Sequence, residues 1–197
     1  MTEAGATPGR GPIDVDSTVR EAWALFARDP LVHILAALVY VGITLLTCGL
    51  AVLILGVLWA GLTVMALKGL RGGRPVFGDA FAGFRQFGQL FLLWIVMTVF
   101  VVIGTLACVL PGIYLMLAFS LATPLVVDRR LSFWDAMTTS WRAFHANLGP
   151  MLLVTLVLYL INVVGGMIPL GFLVAQPLYV LGTTVLYARV FGLNPEA

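Results

Sequence analysis

Three stretches without a single charged side chain govern what this chain can fold into: Leu31–Leu67, Leu90–Val127 and Leu148–Ala188, of 37, 38 and 41 residues. An α-helix rises about 1.5 Å per residue, so the shortest of them would reach roughly 55 Å as one helix, against about 30 Å for the hydrocarbon core of a bilayer. Each block therefore has to fold back on itself. Gly and Pro break the apolar run near the middle of each, at Thr47-Cys48-Gly49, at Cys108 to Gly112 and at Gly165 to Pro169. The expectation is an all-α membrane protein with six transmembrane helices arranged as three hairpins. Their spans would cover about 31–48, 50–67, 90–108, 110–127, 148–165 and 170–188.

A β-barrel is excluded because the blocks are continuously apolar rather than alternating. A water-soluble globule is excluded by composition: 10% of residues are charged and 61% hydrophobic, whereas soluble domains carry about 25% charged residues. The first partner is the lipid bilayer. The net charge of +2 is too small to suggest nucleic-acid binding.

The position of the charges carries more information than their sum. Arg10, Arg20 and Arg28 precede the first block, and Lys68, Arg71, Arg74 and Arg85 follow it. Arg129, Arg130 and Arg142 follow the second block and Arg189 the third, which accounts for all eleven basic residues. None lies at a hairpin tip, so the positive-inside rule places both termini and both long connections in the cytoplasm. Residues 1–13 are small and rich in Gly and Pro and read as a disordered tail, with no cleavable signal, ahead of a single membrane domain over 14–197.

An amphipathic segment precedes each hairpin, over about 17–29, 75–89 and 132–147. The first sets Val19, Ala22, Trp23 and Phe26 on one face; the second Phe77, Ala80, Phe81, Phe84 and Phe87; the third Phe133, Met137, Trp141, Phe144 and Leu148. Such segments lie in the membrane interface. They align as Glu21-Ala22-Trp23, Asp79-Ala80-Phe81 and Asp135-Ala136-Met137, separated by 58 and 56 residues, an internal threefold repeat. Thr18 precedes Glu21, and Ser132 precedes Asp135, at capping-box spacing. Glu21, Asp79 and Asp135 therefore read as repeat-motif helix caps rather than catalytic acids.

Few residues suit chemistry. His33 and His145 lie in different segments without a ligand-spaced partner, so neither a metal nor another cofactor is expected, and nothing assembles the constellation an enzyme needs. Asp, Glu, Lys and Arg are absent from the apolar blocks. Asn162 and Gln176 are the polar side chains least able to satisfy themselves there, and an interhelical hydrogen bond between spans five and six is expected. Pro124 and Pro177 would kink spans four and six, which with so few polar groups favours packing over a cavity. Cys48 and Cys108 sit at two hairpin tips and form a candidate disulfide if the tips reach an oxidising compartment, the alternative being two small apolar residues.

The stretches ALKGLRGGRPVFGDAFAGFRQFGQLF and LPGIYLMLAFSLATPLVVDRRLSFWDAMTTSW resemble a family of small bacterial membrane proteins, mostly of unknown function, related to the membrane domain beside some glycerophosphodiester phosphodiesterases. The resemblance implies a six-helix domain in a bacterial inner membrane and assigns no functional residue. Three functions follow as expectations. The first is a non-enzymatic accessory or scaffold that binds a protein partner or a second copy of itself. The second is a transporter or permease for an apolar or lipid-like substrate, and the third a membrane-shaping hairpin protein.

Overall fold

The computed structural model describes residues 13–46, 51–168 and 171–194, and within them the chain is helical without strands. In chain order the helices are α1 (Val15–Arg28), α2 (Pro30–Leu46), α3 (Ala51–Leu70), a 3₁₀ segment (Phe77–Gln86), α4 (Phe87–Ala107), α5 (Val109–Ala118), α6 (Ala122–Arg129), α7 (Phe133–Ala146), α8 (Leu148–Met167) and α9 (Phe172–Phe191). Four continuous or nearly continuous helical stretches are long and apolar enough to cross a membrane: Phe77–Ala107, Val109–Arg129, Leu148–Met167 and Phe172–Phe191. A bent pair, α1 with Pro30–Val39, raises the count to five, and Gly56–Leu70 is a shorter apolar helix. The tip of the first hairpin, with Cys48, and all of the anticipated tail except Ile13 lie outside the described residues. Ile13 packs against the main apolar cluster.

Burial separates the helices by role. The apolar window of α9 is 67% buried, against 17% for Phe77–Ala107 and 22% for α8. Thus α9 is the central post, touched by α1, α2, α3, α6 and α8, while α4 and α8 turn Val99, Phe100, Ile103, Leu153, Leu160 and Val164 outward. An outward apolar skin over a buried core is what a lipid solvent requires.

The α1–α2 junction bends by 89° at Asp29. Proline disfavours the α conformation in the residue before it, so Pro30 ends α1 at Arg28 and starts a new helix at its own first position. The start of α1 is capped by Asp14, whose carboxylate accepts the Ser17 N–H at 3.1 Å. That bond holds the Asp14 carboxyl below its ordinary pKa. Glu21, expected as a cap, instead lies in the middle of α1 and pairs with Arg189 of α9 at 2.8 Å, because the helix begins four residues earlier than Thr18 would have it begin.

The face of α1 that docks carries Thr18, Ala22, Leu25 and Phe26, while Trp23 is 53% exposed. In α7 the docked face is Ala136, Met137, Ser140 and Phe144, with Ser140 Oγ donating to the Ala118 carbonyl at 2.7 Å. Small and hydroxylated residues make the close contact in both helices, and Trp23 and Trp134 are left outside. Ser132 caps α7 through the Asp135 N–H at 3.2 Å and donates to the Asp135 carboxylate at 2.7 Å.

The second amphipathic segment differs from an α-helix in a way that decides its faces. In a 3₁₀ helix residues three apart eclipse one another, so its side chains form columns. Phe81, Phe84 and Phe87 stand in one, with ring planes 28° and 13° apart at centroid distances of 6.5 and 6.2 Å. Ala80 and Gly83 form a second, buried against α3. Asp79, Ala82 and Arg85 form the third. Close approach requires the small column: a Cβ on Gly61 of α3 would sit 1.7 Å from the Ala80 carbonyl oxygen, and one on Gly83 would sit 2.2 Å from that of Val57. Asp79 accepts the Val76 N–H at 2.9 Å and Lys68 Nζ at 2.8 Å, capping the segment and tying it to α3.

Candidate functional site

The span Val109–Arg129 is not one helix. It unwinds at Phe119–Leu121 between α5 and α6. Pro124 has no N–H to donate toward the turn before it, so the backbone hydrogen bonding there cannot run on uninterrupted. Pro177 behaves differently, since α9 continues through it. The Phe119 carbonyl accepts from Ala122 at 3.0 Å and Ser120 donates to Leu117 at 3.2 Å, so tight turns replace the regular ladder.

Beside this break lies a cavity of about 320 Å³ enclosed by α3, α4, α5, α6, α8 and α9. Its walls are aromatic: Trp59 meets Trp94 edge-on at 5.0 Å and Tyr179 at 6.3 Å. Gly56 makes the Trp94 position possible, because a Cβ there would lie 1.9 Å from the indole. The lining includes Trp94, Ser120 and Asn162, and no charged residue. Trp94 Nε1, Ser120 Oγ and Asn162 Nδ2 are all buried without a hydrogen-bond partner. Two of these are donors only and the third is a hydroxyl that can donate. An unsatisfied buried donor costs about 1–3 kcal/mol, so three on one cavity amount to an unmet demand for acceptors. The cavity thus suits a neutral group with acceptor oxygens and an apolar body; a carboxylate or ammonium would find no counter-charge.

Asn162 is in this cavity and Gln176 is not, and the expected bond between them is absent. Gln176 Oε1 is itself buried without a partner. The register of the α8–α9 hairpin explains it: Gly165 lies against Ala175, and Gly182 against Leu158, which puts Asn162 level with Leu178. Cys108 is exposed between α4 and α5; its pairing with Cys48 lies outside the described residues.

A second polar assembly closes one end of the bundle. Asp128, at the end of α6, has a fully buried carboxylate. It accepts from the Arg71 guanidinium, from Tyr187 Oη at 2.6 Å and from the Asn194 N–H at 3.1 Å. Asn194 Nδ2 returns to the Asp128 carbonyl at 3.2 Å, and Arg71 Nη2 reaches the Asn194 carbonyl at 3.1 Å. Gly192, at φ 73°, allows the chain to turn back after α9 and bring Asn194 there. Arg129 lies 5.5 Å over the Phe191 ring and donates to its carbonyl at 2.7 Å. The sequence reading passed over Asp128 because Asp128-Arg129-Arg130 looks like an ordinary charged flank. Its only local signal is that the acid immediately follows Val127, the last residue of an apolar block.

No family model, curated protein or solved structure matches the chain.

Proposed function

We propose that the protein is a non-enzymatic, multi-pass membrane protein that binds a neutral, lipid-like amphiphile in the cavity beside the broken span, the binding step of a transporter or permease. The observation that carries this is the group of unpaired buried donors, Trp94 Nε1, Ser120 Oγ and Asn162 Nδ2, on one uncharged cavity. Spans interrupted at depth are tolerated where the freed backbone lines a cavity. The scaffold expectation needs no interior space and leaves these donors unexplained.

The test uses monodecanoylglycerol as probe with the purified chain in detergent. It should raise the melting temperature and alter tryptophan emission, through Trp59 and Trp94. Ser120→Ala with Asn162→Leu should weaken binding about 30-fold, each lost donor contact counting for about 1 kcal/mol. Equal binding by wild type and the double variant would sink the reading.

The same proposal includes the topology: six spans in three hairpins, with both termini and the basic connections on the cytoplasmic side of a bacterial inner membrane. It is supported by the distribution of the eleven basic residues and by the exposed apolar tip residues Leu106, Val109, Leu110 and Met167. In intact cells carrying the Cys48→Ser variant, a membrane-impermeant maleimide should label Cys108 after reduction. Labelling that begins only once the cells are opened would refute an outward tip and return membrane shaping by half-inserted hairpins to consideration.

A further inference from the structure

Between the end of α3, the 3₁₀ segment and the end of α6 lies an open cleft of about 830 Å³. Four cations line it, Lys68, Arg71, Arg85 and Arg130, with two acids, Asp79 and Asp128. Both acids are already engaged, Asp79 by Lys68 at 2.8 Å and Asp128 by Arg71. Arg85 and Arg130 therefore bring two positive charges that no carboxylate in the cleft offsets.

Their placement follows from the backbone. Arg85 belongs to the Asp79, Ala82, Arg85 column of the 3₁₀ segment, which lines the cleft, and the phenylalanine column stands about a third of a turn round, outside the cleft, with Phe81, Phe84 and Phe87 each about two-fifths exposed. Arg130 occupies the left-handed position after α6, at φ 53° and ψ 32°. Glycine is the usual residue there, and a side chain with a Cβ costs roughly 1–2 kcal/mol. Arginine at that position puts a charge on the cleft despite this backbone cost.

We propose that this cleft is a binding site for the phosphate of an anionic phospholipid, with the headgroup between Arg85 and Arg130 and an acyl chain along the Phe81, Phe84, Phe87 column. Phosphate suits the site because guanidinium groups present paired donors to its oxygens. A phospholipid rather than a soluble phosphate fits because the rings of Phe81 and Phe84 stand on the same ten-residue segment as Arg85, with Phe87 directly after it. Basic pockets between helices at the membrane surface recognise lipid headgroups by this combination. The site is separate from the cavity of the proposed function and does not depend on what that cavity binds.

The test compares phosphatidylglycerol and phosphatidylcholine on the purified full chain by native mass spectrometry, with inorganic phosphate and glycerol phosphate as soluble arms. Wild type should prefer phosphatidylglycerol by roughly 30-fold, two arginines contributing about fivefold each. Arg85→Gln with Arg130→Gly should erase the preference. Glycine at 130 relieves the backbone, so a loss of binding with an unchanged or higher melting temperature is not unfolding. Arg142→Gln, which removes a cation outside the cleft, should keep the preference intact. The proposal is overturned if wild type shows no preference, if the double variant retains it, if Arg142→Gln abolishes it equally, or if either soluble phosphate binds as tightly as phosphatidylglycerol.

Discussion

Replacing Arg71 by alanine should destabilise the protein by about 3–5 kcal/mol, the cost of leaving one member of a buried ion pair without its partner. The larger share arises at Asp128, whose side chain is 0% exposed, while that of Arg71 is 32% exposed. Water can solvate the arginine when the acid is removed; it reaches the acid far less readily when the arginine is removed. Asp128→Asn should accordingly cost less than Arg71→Ala, since asparagine still accepts from Tyr187 and Asn194 and the freed guanidinium turns to solvent. The double variant Arg71→Ala with Asp128→Asn should recover much of the loss, because it removes both charges together. Thermal unfolding in a fixed detergent measures all three. If Arg71→Ala and Asp128→Asn lose the same amount and the double variant loses their sum, the two residues are not coupled.

A second large effect is expected at Gly61. Alanine there brings a methyl group to 1.7 Å from the Ala80 carbonyl oxygen, with backbone on both sides of the contact. Nothing flexible stands in the way to give, so Gly61→Ala should cost at least the upper part of the roughly 1–3 kcal/mol range for overpacking and push the 3₁₀ segment off α3. Gly88→Ala is the contrasting case. Gly88 is helical and exposed, with no atom within 4 Å of the new Cβ, so alanine should stabilise by about 0.5–1 kcal/mol. One chemical change made in neighbouring elements should thus have opposite signs in the same unfolding assay. A neutral Gly61→Ala would mean that the segment does not pack on α3 as described.

The sequence showed where the apolar helices lie because hydropathy is a local property, readable in a window of twenty residues. Arg71, Tyr187 and Asn194 reach Asp128 only through packing, from 57 to 66 residues away, and no periodicity connects them. The repeated acids show the limit in another form. Glu21, Asp79 and Asp135 occupy aligned positions, yet one pairs with α9, one ties a segment to α3 while capping it, and one completes a cap with Ser132. Aligned spacing conveyed a shared pattern but not their partners. The cavity was missed for a related reason. Polar residues in the apolar blocks are few, whereas what matters is that Trp94 of α4, Asn162 of α8 and Ser120 of the break between α5 and α6 are left unpaired on one space.

The contact between α1 and α9 bears on how such a chain can be made. Arg189 donates to Ser17 Oγ at 2.7 Å, Thr18 Oγ1 at 2.8 Å and Glu21 at 2.8 Å, so α1 rests on a helix that is made much later. Ala22, Leu25 and Phe26 share one buried cluster with Leu178, Leu181 and Val185 of α9, so α1 lacks that cover until α9 has been made. A product truncated before α9 would carry α1 undocked, its apolar face uncovered and Ser17, Thr18 and Glu21 without the arginine that joins them.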